Sequence, residues 1–123
     1  MTFTVYREIF FSSAHRLRNY NGKCENLHGH NWRVRLCISA KELDGTGFVM
    51  DFKEMDSILK TITDELDHKN INEIPEFTET NPTAENIAFH IFKKAEKFVN
   101  DDRISVSKVS VWESDKSCAT VEG

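Results

Sequence analysis

His28-Gly29-His30-Asn31-Trp32-Arg33-Val34-Arg35-Leu36-Cys37-Ile38 is the stretch on which the fold turns. His28, His30, Trp32, Val34, Leu36 and Ile38 share one parity, and Arg33, Arg35 and Cys37 the other. A period of two, rich in aromatic and β-branched residues, predicts a strand with one buried face. Residues two apart in an extended chain project to the same side, so this strand opens with two imidazoles side by side.

Upstream, Phe3, Val5, Ile9 and Phe11 alternate with Thr2, Thr4, Glu8 and Ser12, predicting a first strand that runs straight into His15. The connection, residues 16–27, holds Asn19, Asn21, Gly22, Lys23 and Asn26 and reads as a loop that delivers Cys24 toward the histidines. Downstream, Asp51 and Glu54 match a helix capping box, and Met55, Ile58, Leu59, Ile62 and Leu66 recur at helical spacing. That helix is expected to end near residues 67–70. A loop with Pro75 and Pro82 leads to a second helix, capped by Asn81 or Thr83 with the proline in its first turn, whose apolar face is Ile87, Ala88, Ile91, Ala95 and Phe98. Alternation returns from Ile104 to Glu113 with a change of parity that predicts a bulge near Ser107, and Ser117–Val121 makes a last strand. The order ββααββ predicts an α+β fold, a four-stranded antiparallel sheet with two helices on one face. Its two open edges invite pairing with further copies, so a homo-oligomer is expected.

The 123 residues have the size of one domain, 1–123. With 20 acids against 16 bases, a net charge of −4 argues against a nucleic-acid partner. No run approaches the ~20 apolar residues that span a bilayer, and the N-terminus has no apolar signal core, so a cytoplasmic protein without a membrane partner is expected. Cys24, Cys37 and Cys118 show no close pairing, in keeping with a reducing compartment. Cys37 and Cys118 fall inside strand patterns and read as small buried hydrophobes.

His15, His28 and His30 meet at the entry and exit of one loop, a donor set suited to Zn2+. Cys24 then closes the site as a fourth ligand or stands beside an open metal as a thiolate, its pKa lowered by Arg16, Arg18 and Lys23. Asp67-His68 reads either as a surface acid beside a helix-terminal imidazole or as an oriented proton relay. Glu113 shares a face with Val109 and Val111, so its carboxylate needs a partner, either a protein cation or a ligand with two parallel N–H donors. His90 borders the apolar stripe of the second helix and reads as structural.

Phe11-Ser-Ser-Ala-His15-Arg-Leu17, Cys24 to Trp32, Gly47 to Phe52, Leu66-Asp67-His68, Asn81-Pro-Thr-Ala-Glu-Asn86 and Val111-Trp-Glu113-Ser114 stand in this order along nearly the whole chain. Together they resemble the family of 6-pyruvoyl-tetrahydropterin and 6-carboxytetrahydropterin synthases. The resemblance implies zinc on His15, His28 and His30, Cys24 as catalytic thiol assisted by Asp67 and His68, and Glu113 anchoring the pterin ring with Thr83 nearby. It also implies the tunnelling fold, in which sheets of several subunits close into a barrel, trimer-based or hexameric, with active sites between subunits. The implied substrate is 7,8-dihydroneopterin triphosphate. The three-residue spacer between Cys24 and His28, and Val49-Met-Asp51-Phe52, resemble the bacterial 6-carboxy type of the 7-deazaguanine and queuosine pathway, a lyase that also releases acetaldehyde and triphosphate. The alternatives are the pyruvoyl-forming reaction, without carbon–carbon cleavage, and a non-catalytic structural zinc module. Arg16, Arg18 and Lys23 are expected at the triphosphate from their charge alone.

Overall fold

Two long strands, β1 (Phe3–His15) and β2 (His28–Ala40), pair antiparallel along their whole length. The structure is a computed structural model that describes residues 1–20 and 25–123, so the expectations placed on Cys24 and Lys23 lie outside the described residues. Helices α1 (Phe52–Asp64) and α2 (Ala84–Val99) follow, then strands β3 (Ile104–Ser114) and β4 (Ser117–Glu122). The predicted four-stranded antiparallel sheet is present, with the strand order β1-β2-β3-β4, and α1 lies against β1 and α2 against β3 and β4.

Each helix starts where a side chain takes up a free backbone N–H. Asp51 accepts from Lys53 N at 2.8 Å, but no return bond from Glu54 accompanies it among the described residues, so only half of the predicted capping box forms. Thr83 caps α2 by accepting from Asn86 N at 3.1 Å, which leaves Pro82 just ahead of the cap and not in the first turn. Helix α1 stops at Asp64 and hands over to a turn that ends at His68, whose φ of 56° lies in the left-handed region. Two short 3-10 turns, Ile71–Glu73 and Pro75–Phe77, occupy the stretch expected to be plain loop.

The core lies between the helices and one sheet face. Trp32, Val34, Leu36 and Ile38 of β2 are fully buried with Val109 and Val111 of β3, Met55 and Leu59 of α1, and Ile87 and Ile91 of α2. Two expectations fail here. Phe98, assigned to the apolar face of α2, is 54% exposed, and Phe92 and Val99 are buried instead. At 100° per residue, position 98 falls within the arc of 87, 88, 91 and 95, so the helical period alone does not separate it from the buried residues, and packing at the end of the helix does. Cys118 is exposed while Cys37, which points to the same uncovered face, is buried, because β4 is an edge strand and β2 is flanked by β1 and β3.

The predicted bulge is present: β2 and β3 shift register between Cys37 and Ile38, and Ser107 is the residue left without a partner. A second irregularity passes over Glu113, between the pairs Trp112–Cys118 and Ser114–Ser117. The face away from the helices carries Tyr6 and Phe10, 51% and 65% exposed, and a stack in which Arg35 lies 4.2 Å over Tyr6 and Arg33 4.0 Å over Trp112. No helix of the described residues is long and apolar enough to cross a membrane.

The packing of α2 can be checked directly. Phe92→Ala should cost about 3 kcal/mol in urea unfolding, whereas Phe98→Ala should stay within about 0.5 kcal/mol of the parent.

Candidate metal centre and active site

The β1–β2 register places His15 opposite His28 and Ser13 opposite His30. All three imidazoles project to the helix side at one end of the pair, their ring centroids 4.7 to 5.1 Å apart. One ligand atom from each lies within 4.8 Å of the others. Trp32 lies beneath them, edge-on to His15 at 4.9 Å and to His30 at 5.1 Å, with its indole N–H donating to Ser13 O at 3.1 Å.

Two backbone carbonyls orient the rings. His15 Nδ1 lies 2.7 Å from Pro82 O, and His28 Nδ1 lies 2.8 Å from Asn26 O. A carbonyl oxygen only accepts, so each Nδ1 carries a proton, and in the neutral ring each Nε2 keeps a free lone pair, the arrangement found in metal-ligating histidines. The Nε2 atoms of His15 and His30 are buried without a hydrogen-bond partner among the described residues. Burial holds His30 below the ordinary imidazole pKa, with the nearby Glu113 carboxylate opposing, which favours the neutral, ligating form.

Glu113 Oε1 stands 3.2 Å from His15 Nε2 and 3.5 Å from His30 Nε2. Against the lone pair of a neutral His15 ring, a carboxylate oxygen at that separation is repulsive unless positive charge, a proton or a metal ion, lies between them. A cation there would satisfy both groups, so the residues present fit a divalent metal. Strand parity puts Glu113 on the helix side with Val109 and Val111, at the irregularity that ends β3.

A cleft of about 500 Å³ opens beside His15 and Glu113, and Thr83, Glu85, Lys116 and Cys118 also line it. Sequence reading missed the last three as cavity residues. Glu85 stood within a quoted motif, two residues after the cap of α2, but Lys116 and Cys118, on a hairpin turn and an edge strand, gave no signal.

Asp67 and His68 form the expected pair, with Asp67 Oδ1 2.9 Å from His68 Nδ1. Asp67 also accepts from Ser12 N at 2.8 Å, and this bond, with that from His68, holds its carboxyl below the usual range against a smaller opposing effect of burial. Further backbone bonds, His68 N to Ser12 O at 2.6 Å and Ala14 N to Lys69 O at 3.0 Å, dock the turn against β1 beside His15. The His68 side chain is 81% exposed and lines a different cleft, with Lys69, Glu73 and Lys94. Within one chain the dyad and the histidine cluster are thus neighbours along β1 that line separate clefts.

Of the basic residues expected at a phosphate tail, Arg18 is committed elsewhere, its guanidinium donating to Phe77 O at 2.5 Å and Thr80 O at 2.8 Å. Arg16 is exposed. His90 packs edge-on to Phe77 at 5.3 Å, as befits the structural role expected of it.

The sequence model of one family, described as 6-pyruvoyl tetrahydropterin synthase, matches residues 4–123. This chain belongs to that family. It is 37% identical over 98 residues to the 6-carboxy-5,6,7,8-tetrahydropterin synthase of Synechocystis, covering 76% of this chain and 74% of the relative. It is 32% identical over 136 residues to the putative 6-pyruvoyl tetrahydrobiopterin synthase of Caenorhabditis elegans, covering 98% and 94%. The solved structure of the Caenorhabditis elegans 6-pyruvoyl tetrahydropterin synthase superposes with a TM-score of 0.86 at 29% identity, over 100% of this chain and 96% of that one. The family resemblance carried by the motifs and the predicted fold are both borne out.

Substituting any one of His15, His28 or His30 by Ala should abolish stoichiometric metal, read by elemental analysis after dialysis. Metal should also be released as pH falls, because protons compete for the same lone pairs. Desolvation weakens proton binding at His30, so competition there should begin below the ordinary imidazole range of about 6.5.

Proposed function

We propose that the protein is a zinc-dependent lyase that converts 7,8-dihydroneopterin triphosphate to 6-carboxy-5,6,7,8-tetrahydropterin, releasing acetaldehyde and triphosphate, in 7-deazaguanine and queuosine biosynthesis. The observation that carries this reading is the convergence of the His15, His28 and His30 rings, with the Glu113 carboxylate at their margin, beside a cleft in a chain of this family. Three neutral imidazoles suit zinc, with a further position left for substrate. When bound, the zinc polarises the hydroxyls of the substrate side chain and acidifies the adjoining carbon-bound protons.

The chain's own residues supply the proton traffic. Cys24 acts as a thiolate that takes a proton from the side chain of the substrate. Anionic Asp67 holds the Nδ1 proton of His68 and leaves His68 Nε2 to accept or return a proton at the exposed end of the ring. Glu113 offers its carboxylate to the parallel N–H donors of the pterin ring. The Thr83 oxygen already accepts from Asn86 N, so its hydroxyl proton is free for a ring acceptor.

The separation of the dyad's cleft from the metal cleft supports an active site completed between copies. The edge of β1 ahead of Ser12, the edge of β4 and the exposed aromatics of the uncovered sheet face support a barrel-forming homo-oligomer built on trimers. Each chain contributes a single domain, 1–123, and the assembly works in the cytoplasm. Similarity over nearly the full chain to the worm protein supports a second reading, formation of 6-pyruvoyl-tetrahydropterin without carbon–carbon cleavage.

Mass spectrometry of the products from 7,8-dihydroneopterin triphosphate decides between them. Acetaldehyde with the 6-carboxy product is expected; triphosphate release alone selects the pyruvoyl reaction, and neither product sinks both. Cys24→Ala should stay folded and metal-replete while kcat falls at least about 100-fold; loss of metal would instead make Cys24 a fourth ligand in a structural site. Glu113→Gln should raise KM about tenfold or more by removing one acceptor of the ring. If Glu85→Gln does so in its place, the anchor is the acid across the cleft.

A further inference from the structure

After His15 the chain is held by two asparagine side chains that imitate a neighbouring strand. Asn72 accepts from Arg16 N at 2.9 Å and donates to Arg16 O at 3.0 Å. Asn81 accepts from Arg18 N at 2.8 Å and donates to Arg18 O at 3.0 Å. Each amide is a two-point clamp that takes both the N–H and the C=O of one residue. The backbone leaving β1 is therefore satisfied without a partner strand.

Asn81 differs from Asn72 in what its own backbone does. Its carbonyl accepts from Asn86 Nδ2 and from Thr83 N, both at 2.9 Å, which fixes the turn ahead of α2. The next carbonyl in that turn, Pro82 O, is the one that meets His15 Nδ1 at 2.7 Å. The contacts close a loop: the His15 ring to Pro82, Pro82 to Asn81 through the chain, Asn81 to Arg18 through the amide, and Arg18 back to His15 through the chain. Arg18 closes it a second time by donating to Phe77 O and Thr80 O.

We propose that Asn81 is a positioning residue for the metal centre: by clamping Arg18 to the turn ahead of α2, it keeps the Pro82 carbonyl on His15 and so fixes the tautomer and direction of that ring. Without the amide, only the Arg18 guanidinium on Phe77 O and Thr80 O ties the turn to the end of β1, and the Pro82 carbonyl is held less firmly on His15 Nδ1. Asn72 holds the chain to a different segment and bears on stability alone. The inference rests on the reading of His15 as a metal ligand.

The test uses the full chain and zinc alone, with affinity measured by competition against a chromogenic chelator well below the unfolding temperature, and the thermal midpoint of the metal-free protein measured alongside. Asn81→Ala should weaken zinc binding about tenfold. Asn81→Asp keeps the shape and the acceptor for Arg18 N but turns an oxygen on Arg18 O; it should weaken zinc binding in the same direction and carries the test if the alanine variant does not fold. Asn72→Ala should lower the thermal midpoint and leave zinc affinity within about threefold of the parent. Parental zinc affinity in the folded Asn81 variants, or equal weakening by Asn72→Ala, would overturn the proposal. A parent that takes up no zinc would instead overturn the ligand reading on which it rests.

Discussion

The pairing register of β1 with β2 is the constraint on which the rest depends. It sets His15 directly opposite His28, with His30 across from Ser13, and sends all three rings to the helix side. A slip of one residue would turn His28 and His30 to the uncovered face and take Trp32, Val34, Leu36 and Ile38 with them. The same four residues are fully buried, so hydrophobic burial enforces the register and the metal cluster inherits it. Complete removal of one such side chain from water is worth roughly 1.5–3 kcal/mol, and the four act together to exclude the shifted pairing.

Around that register the protein places polar groups so that positive charge is the missing element. Two carbonyls hold protons on the far nitrogens of His15 and His28, and Glu113 brings a carboxylate oxygen within 3.2 Å of His15 Nε2 and 3.5 Å of His30 Nε2. The turn after α1 uses Ser12 and Ala14 of the same strand to seat Asp67 and His68. Strand β1 is thus a spine that fixes both chemical groups, while their side chains open into separate clefts. The exposed aromatic and arginine stack on the other sheet face follows from the same alternation, since every second residue of β1 and β2 is denied the helices.

Most of this architecture was legible because the sheet and helices have distinct periods and the histidines sit on a parity shared with the core. The ββααββ order, the bulge at Ser107 and the clustering of His15, His28 and His30 all follow from alternation and its interruption. Phe98 was misread because an apolar residue at the end of a helix satisfies the period approximately, while packing selects Phe92 and Val99. Cys118 was misread because alternation does not say which strand lies at the sheet edge. The parts of the site held by backbone carbonyls, Pro82 and Asn26, leave no trace in residue type. Nor do the asparagine clamps, whose partners lie 56 and 63 residues away in the chain.

His68 occupies a left-handed backbone conformation at the bend after α1. A side chain with a Cβ is disfavoured there by roughly 1–2 kcal/mol relative to glycine. The imidazole that the turn presents to solvent therefore sits against local conformational preference. Selection for thermal robustness alone would drift toward glycine or asparagine at this bend, so hardiness and chemistry pull the position in opposite directions.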